Sequence, residues 1–300
     1  MTGASKHTSN KHVLFVANPK SGKANSERLS EYISDYSKMY SYVWQLYFTK
    51  GTNDEQAINE KIRHFKPGIV VAAGGDGTIN LVARLLIKTT IKLGIIPMGS
   101  ANGFAYNLRI PVNIDQAMKI IFTATANPVD VLKINEQHYS LHLCDIGINA
   151  RTVKRFEKEN SKGLSGYGKQ LFKELFAGKT HFKYQLNIGK FVKKSRAEII
   201  VIANARAFGT GAQINPEGIL NDGKFEIVII KPYPWWAGFI LLFSFFTGKL
   251  HRMRYVRVFK ASQARIKLRK PQVFQIDGEI LDDVKTIDIE MIRRGIQVIF

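Results

Sequence analysis

Between Lys11 and about Asp130 two apolar rhythms alternate along the chain. Short apolar-rich runs over Val13 to Ala17, Val43 to Phe48, Ile69 to Ala73 and Leu93 to Ile96 read as strands. Between and after them, apolar residues recur at helical spacing over Glu27 to Met39, Asp54 to Phe65, Thr78 to Ile87 and Asp115 to Thr123. Strands separated by helical segments predict βαβ units, hence an α/β N-terminal domain with a mostly parallel sheet covered on both faces.

After Val129 the runs shorten and their period changes. Phe182 to Ile188, Glu198 to Ala203, Phe225 to Ile230 and Arg265 to Leu268 are divided by Gly, Asn and Pro turns, a texture that predicts a β-rich, antiparallel, sandwich-like second domain. Helical patterns interrupt it near Tyr167 to Phe176 and Trp235 to Phe246. The expected division is 11–130 and 131–300, with the last strand free to return to the first domain.

At 300 residues and 45% hydrophobic content, the chain can bury two cores. Its one cysteine, Cys144, excludes an intrachain disulfide, and Met1 to His12 is polar and basic with no signal-like apolar stretch, so a reducing, cytoplasmic setting is expected. The net charge of +20, from 44 Lys+Arg against 24 Asp+Glu, predicts attraction to polyanions: nucleic acid, anionic lipid headgroups or a phosphorylated substrate. The apolar run Trp235 to Phe246 falls short of the ~20 residues that span a bilayer, so it is a buried helix or an interfacial one. Lys231, Lys249, His251, Arg252 and Arg254 flank it, and aromatic residues beside basic ones suit a membrane interface. A second basic segment, Arg151 to Lys158 with Lys162 and Lys169 beyond it, is either a solvated face or a contact for an anionic surface.

Candidate chemistry concentrates where predicted strands end. Gly74-Gly-Asp-Gly77 follows a strand and precedes a helix, where glycines allow close backbone approach and helix N-terminal amides favour phosphate. A tight turn with Asp76 as a capping residue is the plainer alternative. Gly22-Lys23 lacks the upstream glycine of a Walker A loop and is followed by Ala24, while Asn80 stands where a dinucleotide fingerprint needs glycine. The first and fourth strands end in Asn18-Pro-Lys-Ser-Gly22 and Pro97-Met-Gly-Ser-Ala-Asn-Gly103, so several strand ends deliver small, polar, turn-forming residues.

The series Asn18-Pro-Lys-Ser-Gly22, Thr49, Gly74-Gly-Asp-Gly-Thr78, Gly99-Ser-Ala-Asn102 and Asp277-Gly-Glu279 resembles the diacylglycerol kinase catalytic family, which includes bacterial lipid kinases and sphingosine kinases. The resemblance implies a two-domain, NAD kinase/diacylglycerol kinase-like fold in which ATP is held by the N-terminal α/β domain, in a cleft facing a β-rich domain for the lipid substrate. By matching position, Asn18, Pro19, Lys20, Ser21, Gly22, Thr49, Gly74, Gly75, Asp76, Gly77, Thr78, Ser100 and Asn102 would line the nucleotide site. Asp277 would be the general base for the lipid hydroxyl, with Glu279 supporting its position, although Asp277-Gly278 is equally a hairpin turn. A carboxylate suits the task, because phosphoryl transfer needs an oriented nucleophile whose proton is accepted. Asp222, with the backbone carbonyls of Ile219 and Lys224, matches the family's site for a structural Mg²⁺, and Asn221-Asp-Gly223 is equally a turn. A second Mg²⁺ would accompany ATP.

The match departs at two places. Asn102-Gly103 stands where many members carry Asn-Asp, and Gly147-Ile-Asn-Ala150 replaces a Gly-Phe-Asp-Ala segment, so two acids are missing and the pocket becomes more basic. The expected function is an ATP- and Mg²⁺-dependent lipid kinase acting on diacylglycerol, at the inner face of an anionic membrane that the protein visits peripherally. A sphingoid-base kinase and a non-catalytic nucleotide or lipid sensor are the alternatives, and a homodimer is left open. No nucleic-acid partner is expected, since zinc-ligand spacing, an RNP-like motif and a basic helix with heptads are all missing.

Overall fold

The computed structural model describes residues 12–21, 23–147, 181–208 and 211–300, divided into two compact units. The expected helix over Tyr167 to Phe176, the basic segment from Arg151 with Lys162 and Lys169, Ile148 to Ala150, Gly22 and the N-terminal stretch before His12 lie outside the described residues.

The first unit comprises residues up to Gly99, Leu108–Pro128 and Ile296–Phe300. It opens with β1 (His12–Ala17), α1 (Lys23–Tyr40), β2 (Val43–Phe48), α2 (Asp54–Phe65), β3 (Ile69–Gly74), α3 (Asp76–Leu86) and β4 (Lys92–Pro97). These strands pair in parallel in the order β4-β3-β1-β2. β1, β3 and β4 are buried almost throughout, as strands covered on both faces must be. Helix α3 buries Ile79, Val82, Ala83 and Leu86 on one stripe, the amphipathic pattern that packs a helix on a sheet. It begins at Asp76, two residues before its expected start. A later helix, Ile114–Thr123, is capped by Asn113, whose side chain accepts from Gln116 N at 3.0 Å. It joins α1 through Tyr36, whose hydroxyl donates to the Asp115 carbonyl at 3.0 Å. Burial, then a further hydrogen bond from the hydroxyl to the Asp115 carboxylate at 3.0 Å, pushes the Tyr36 phenol up to about 12.

The second unit comprises Ser100–Asn107 and Val129–Gly295. Its first element is the short helix α4 (Gly103–Asn107), which makes the helix over Ile114–Thr123 α5. The sequence pattern puts 100–107 with the first domain; the structure gives it to the second unit, because Asn107 ties it there. The Asn107 side chain donates to the carbonyl of Ala207 at 2.7 Å and accepts from the amides of Arg206 and Ala207, each at 3.0 Å. The strands that follow are β5 (Ala126–Ile134), β6 (His138–Ser140), β7 (Leu143–Gly147), β8 (Phe182–Ile188), β9 (Phe191–Ala197), β10 (Ile199–Ala203) and β11 (Phe225–Ile230). Helix α6 (Ala237–Thr247) and strands β12 (Val256–Ala261), β13 (Gln263–Ile276) and β14 (Glu279–Ile299) complete the chain.

In this unit the neighbours pair antiparallel in the order β12-β11-β10-β7-β13-β14, with β8 beside β13 and β9 beside β8. β7, β10 and β11 are buried at every position, so apolar side chains cover both faces. Leu186, Ile200, Ile227, Phe274 and Ile287 pack on one face. Val201, Val228, Ile230, Tyr233 and Leu241 pack on the other. The run Arg265 to Leu268 is only the centre of the longer β13. At its far end β14 leaves this unit, and Gln297 and Val298 pair in parallel with Lys92 and Leu93 of β4.

Candidate active site

Parallel strands place all their carboxyl ends on one edge, and the first unit uses that edge. The amide of Asn18 donates to Ala73 O at 3.0 Å, Thr49 N to Ala17 O at 2.9 Å, and Met98 N to Gly74 O at 2.9 Å. These bonds carry the ladder one step past each strand and bring Thr49, Asn18, Gly74 and Met98 side by side. Asn18 then folds its own loop, accepting from Lys20 N on its side chain at 2.9 Å and from Ser21 N on its carbonyl at 3.0 Å. That leaves Pro19 and Lys20 exposed, with Ser21 half-buried.

The glycines answer to neighbours within the fold. A Cβ on Gly74 would lie 2.6 Å from the Thr78 Cβ, so glycine is needed for Thr78 to fold back over the strand end. A Cβ on Gly75 would meet the Gly99 Cα at 3.3 Å, so two strand-end loops touch backbone to backbone. Thr78 is buried, Gly77 exposed and Asp76 half-buried. Asp76 is the first residue of α3, and Gly75 precedes it at the N-cap position with extended backbone. Its carboxylate sits in the first turn, where a negative charge is favoured by ~0.3–1 kcal/mol. The amides of a first helical turn suit phosphate oxygens, and a carboxylate there suits a hard cation arriving with phosphates.

The loop carrying Thr49 is shaped by a residue that the sequence pattern marks only as a helix start. Asp54, buried at the head of α2, accepts from Lys50 N at 2.8 Å, Gly51 N at 2.7 Å and the Tyr47 hydroxyl at 2.7 Å. Burial opposes its charge, but these donors win and hold the carboxyl below its ordinary value.

Ser100 and Asn102 belong to the second unit. Ser100 is exposed, whereas Asn102 is buried in a left-handed conformation (φ 49°) and its carbonyl accepts from Tyr106 N at 2.8 Å at the start of α4. Gly103, where many family members carry an acid, is buried as the first residue of α4.

Asp277 and Gly278 form the β13–β14 turn, both with positive φ (48° and 96°), as a type I′ hairpin requires. The turn and the carboxylate site are thus the same structure. The Asp277 Oδ1 accepts from the Ser140 hydroxyl at 2.7 Å, Leu143 N at 3.0 Å and His142 N at 3.2 Å, while Oδ2 accepts from Leu141 N at 3.0 Å. Gln275 braces the same turn, accepting from Gly278 N and donating to Asp145, each at 2.7 Å. Position is therefore set by Ser140 and the 141–143 backbone, the support expected from Glu279; Glu279 itself is exposed at the start of β14. Burial, then the Asp277 charge, pushes the nearby Cys144 thiol well above its ordinary value, so this cysteine is no nucleophile.

At the turn carrying Asp222 the positive partner is Lys260, whose Nζ lies 2.7 Å from Asp222 Oδ2 and 3.1 Å from Glu226 Oε1. Asp222 Oδ1 accepts from Lys224 N at 2.9 Å. Asp130, wholly buried, accepts from Gly223 N at 2.6 Å and fixes the turn from behind. Both carboxylate oxygens thus have protein partners, and the donor set does not fit the structural Mg²⁺ expected at Ile219, Asp222 and Lys224. Ile219 and Lys224 are exposed. Among the described residues no group of three or more His, Cys, Asp or Glu side chains is placed to hold a metal.

Residues 12–134 match the family described as the diacylglycerol kinase catalytic domain, and residues 144–299 match the YegS C-terminal NAD kinase beta sandwich-like domain. A protein of Pectobacterium atrosepticum named "Probable lipid kinase YegS-like" is 27% identical over 291 residues, covering 94% of each chain. Its namesake in Yersinia enterocolitica is 29% identical over 248 residues, covering 76% of this chain and 77% of the other. A crystal structure of a diacylglycerol kinase from Bacillus anthracis shares the fold, at 21% identity, a TM-score of 0.74 and 97% coverage of both chains. With motif order, fold and two adjoining domain matches in agreement, the chain belongs to the diacylglycerol kinase catalytic-domain family and is a lipid kinase.

Proposed function

We propose that the protein transfers the γ-phosphoryl group of ATP to the hydroxyl of a membrane lipid, with diacylglycerol as the acceptor. The observation that carries this reading is the row of strand ends in the first unit, where Asn18, Thr49, Gly74 and Gly75 meet in hydrogen-bonded register with the α3 N-terminus. Those loops and amides hold the triphosphate. Asp76 is the carboxylate that would face a Mg²⁺ arriving with the nucleotide, and that ion would supply neutralisation of phosphate charge. Asp277 takes the proton of the lipid hydroxyl; the lipid oxygen bonds to phosphorus as the bond to the β-phosphate oxygen breaks, releasing ADP. Pinning the base matters because most of the acceleration in phosphoryl transfer comes from positioning and charge stabilisation.

A sphingoid base is the second acceptor, favoured by the acid-free Asn102-Gly103. In this reading the enzyme works at the cytoplasmic leaflet, drawn there by its net charge of +20. The test is phosphate transfer from labelled ATP with Mg²⁺ to micellar diacylglycerol, sphingosine, ceramide and phosphatidylglycerol, with NAD as a non-lipid control, beside Asp277→Asn. One lipid phosphorylated by the parent and lost in the variant supports substrate and base together; no transfer to any of them, with ATP still bound, overturns the reading.

A further inference from the structure

Helix α6 is built inside out. Its buried side consists of Ala237, Gly238, Leu241 and Ser244, mostly small residues. Its outer side carries Phe239, Ile240, Phe243 and Phe246, which are 46–69% exposed, and Trp235 and Trp236 continue that face before the helix begins. A core helix would turn these rings inward, because each large apolar side chain left in water forgoes its transfer energy. Its two hydroxyls are satisfied within the helix: Ser244 donates to Ile240 O at 2.7 Å and Thr247 to Phe243 O at 3.2 Å. No helix among the described residues is long and apolar enough to cross a membrane.

The rim of this face is rich in cations. No acidic residue occurs between Glu226 and Asp277. Lys249, Arg252 and Arg254 are exposed just past the helix, and the Arg254 guanidinium lies 5.8 Å from the Trp236 ring centroid and 4.6 Å from that of Tyr255. Lys231, whose amide donates to Tyr255 O at 2.8 Å, adds to the same rim, and burial and then the charges of Arg257 and Lys193 push its ammonium below its ordinary value. A hydrocarbon-like centre with a cationic border complements a bilayer interface rich in anionic headgroups. It does not complement a second copy of itself, which in a symmetric contact would set these cations against their equivalents.

We propose that α6, with Trp235 and Trp236, is an interfacial anchor that lies in the plane of an anionic bilayer, its aromatic face among the upper acyl chains and Lys249, Arg252 and Arg254 among the headgroups. The proposal rests on the lipid-kinase reading for its purpose and stands apart from it in its test. The full-length protein is floated with vesicles of phosphatidylcholine alone and with added phosphatidylglycerol, while tryptophan emission is followed. Phe239→Gln/Phe243→Gln and Arg252→Glu/Arg254→Glu are compared after circular dichroism has shown both folded. Kinase activity is measured on lipid in vesicles and on the same lipid in detergent.

Flotation with the anionic vesicles only and a blue-shifted emission are expected from the parent protein. Both variants should lose about tenfold or more in vesicle binding and in vesicle-presented turnover, and keep detergent-presented turnover within about twofold. Absence of flotation at low salt, or variants that float like the parent, overturns the anchor. So does a dimer in solution that Phe239→Gln/Phe243→Gln dissociates, which would assign the face to a second copy. Flotation without lipid phosphorylation in either presentation sinks the kinase reading and leaves the anchor standing.

Discussion

The hydroxyl of Ser140 donates to Oδ1 of Asp277 at 2.7 Å, across 137 residues of sequence. Ser140 is wholly buried, and with three backbone amides it fixes a carboxylate that stands on a two-residue turn. Removing one buried donor from such a set costs ~1–3 kcal/mol. Ser140→Ala should lower kcat about tenfold while leaving KM for ATP unchanged, since the nucleotide loops are untouched. A rise in KM for ATP with kcat intact would count against the positioning role.

Asp277→Asn replaces an all-acceptor group by one that must point an NH₂ at backbone amides. Loss of a general base lowers the rate by about 10²–10⁴-fold, and the mismatched amide should also lower Tm. Steady-state kinetics beside thermal melting separate the two effects.

Gly74 and Gly75 should differ in tolerance. Gly74→Ala drives a Cβ into the buried Thr78, an overpacking that costs ~1–3 kcal/mol, and should weaken ATP binding. Gly75→Ala meets Gly99 only at 3.3 Å and should be milder. Melting curves with and without ATP test the order; a Gly75 variant that is the worse of the two would refute it.

Lys260 in place of a metal predicts that a chelator leaves Tm unchanged in the absence of nucleotide. Its ammonium is raised above 10.5, chiefly by the hydrogen bond to Asp222. The pair's contribution is therefore complete below 10.5 and is lost as pH climbs through the higher folded value. Lys260→Met should cost ~1 kcal/mol, a modest figure because the lysine is partly exposed, and should flatten the alkaline end of the stability profile.

Asp54 gives the opposite sign. Its carboxyl is held below 3.8, so its contribution is present above that value and fades as pH falls through the folded value. Asp54→Asn should remove that acid limb, loosen the Thr49 loop and raise KM for ATP. An unchanged KM would show that the loop does not touch nucleotide.

The parallel half was legible because periodicity is a local property: β1 to α3 and α5 follow runs that any window of the sequence displays. The strand-end loops were legible for the same reason, since Asn18 and Gly74 to Thr78 punctuate strands. Ser140, Asn107 and Lys260 were not legible. Each reaches partners 34 to 137 residues away, and none stands in a pattern of its own. The outward face of α6 was hidden for another reason. A helix apolar all round has no stripe to read, so only packing shows which side the core receives. The departure of 100–107 from the first unit has the same origin, in the reach of Asn107 to residues about 100 positions on.

The pairing of Gln297 and Val298 with β4 bears on how the chain is made. A ribosome delivers β1 to β4 early, yet the strand that covers the free edge of β4 follows the other strands of the second unit. Until then an apolar edge, with Leu93, Ile95 and Ile96 behind it, stays open to other nascent chains. The second unit must be synthesised before the first is sealed, so a chain halted within it would carry a sheet with a sticky border.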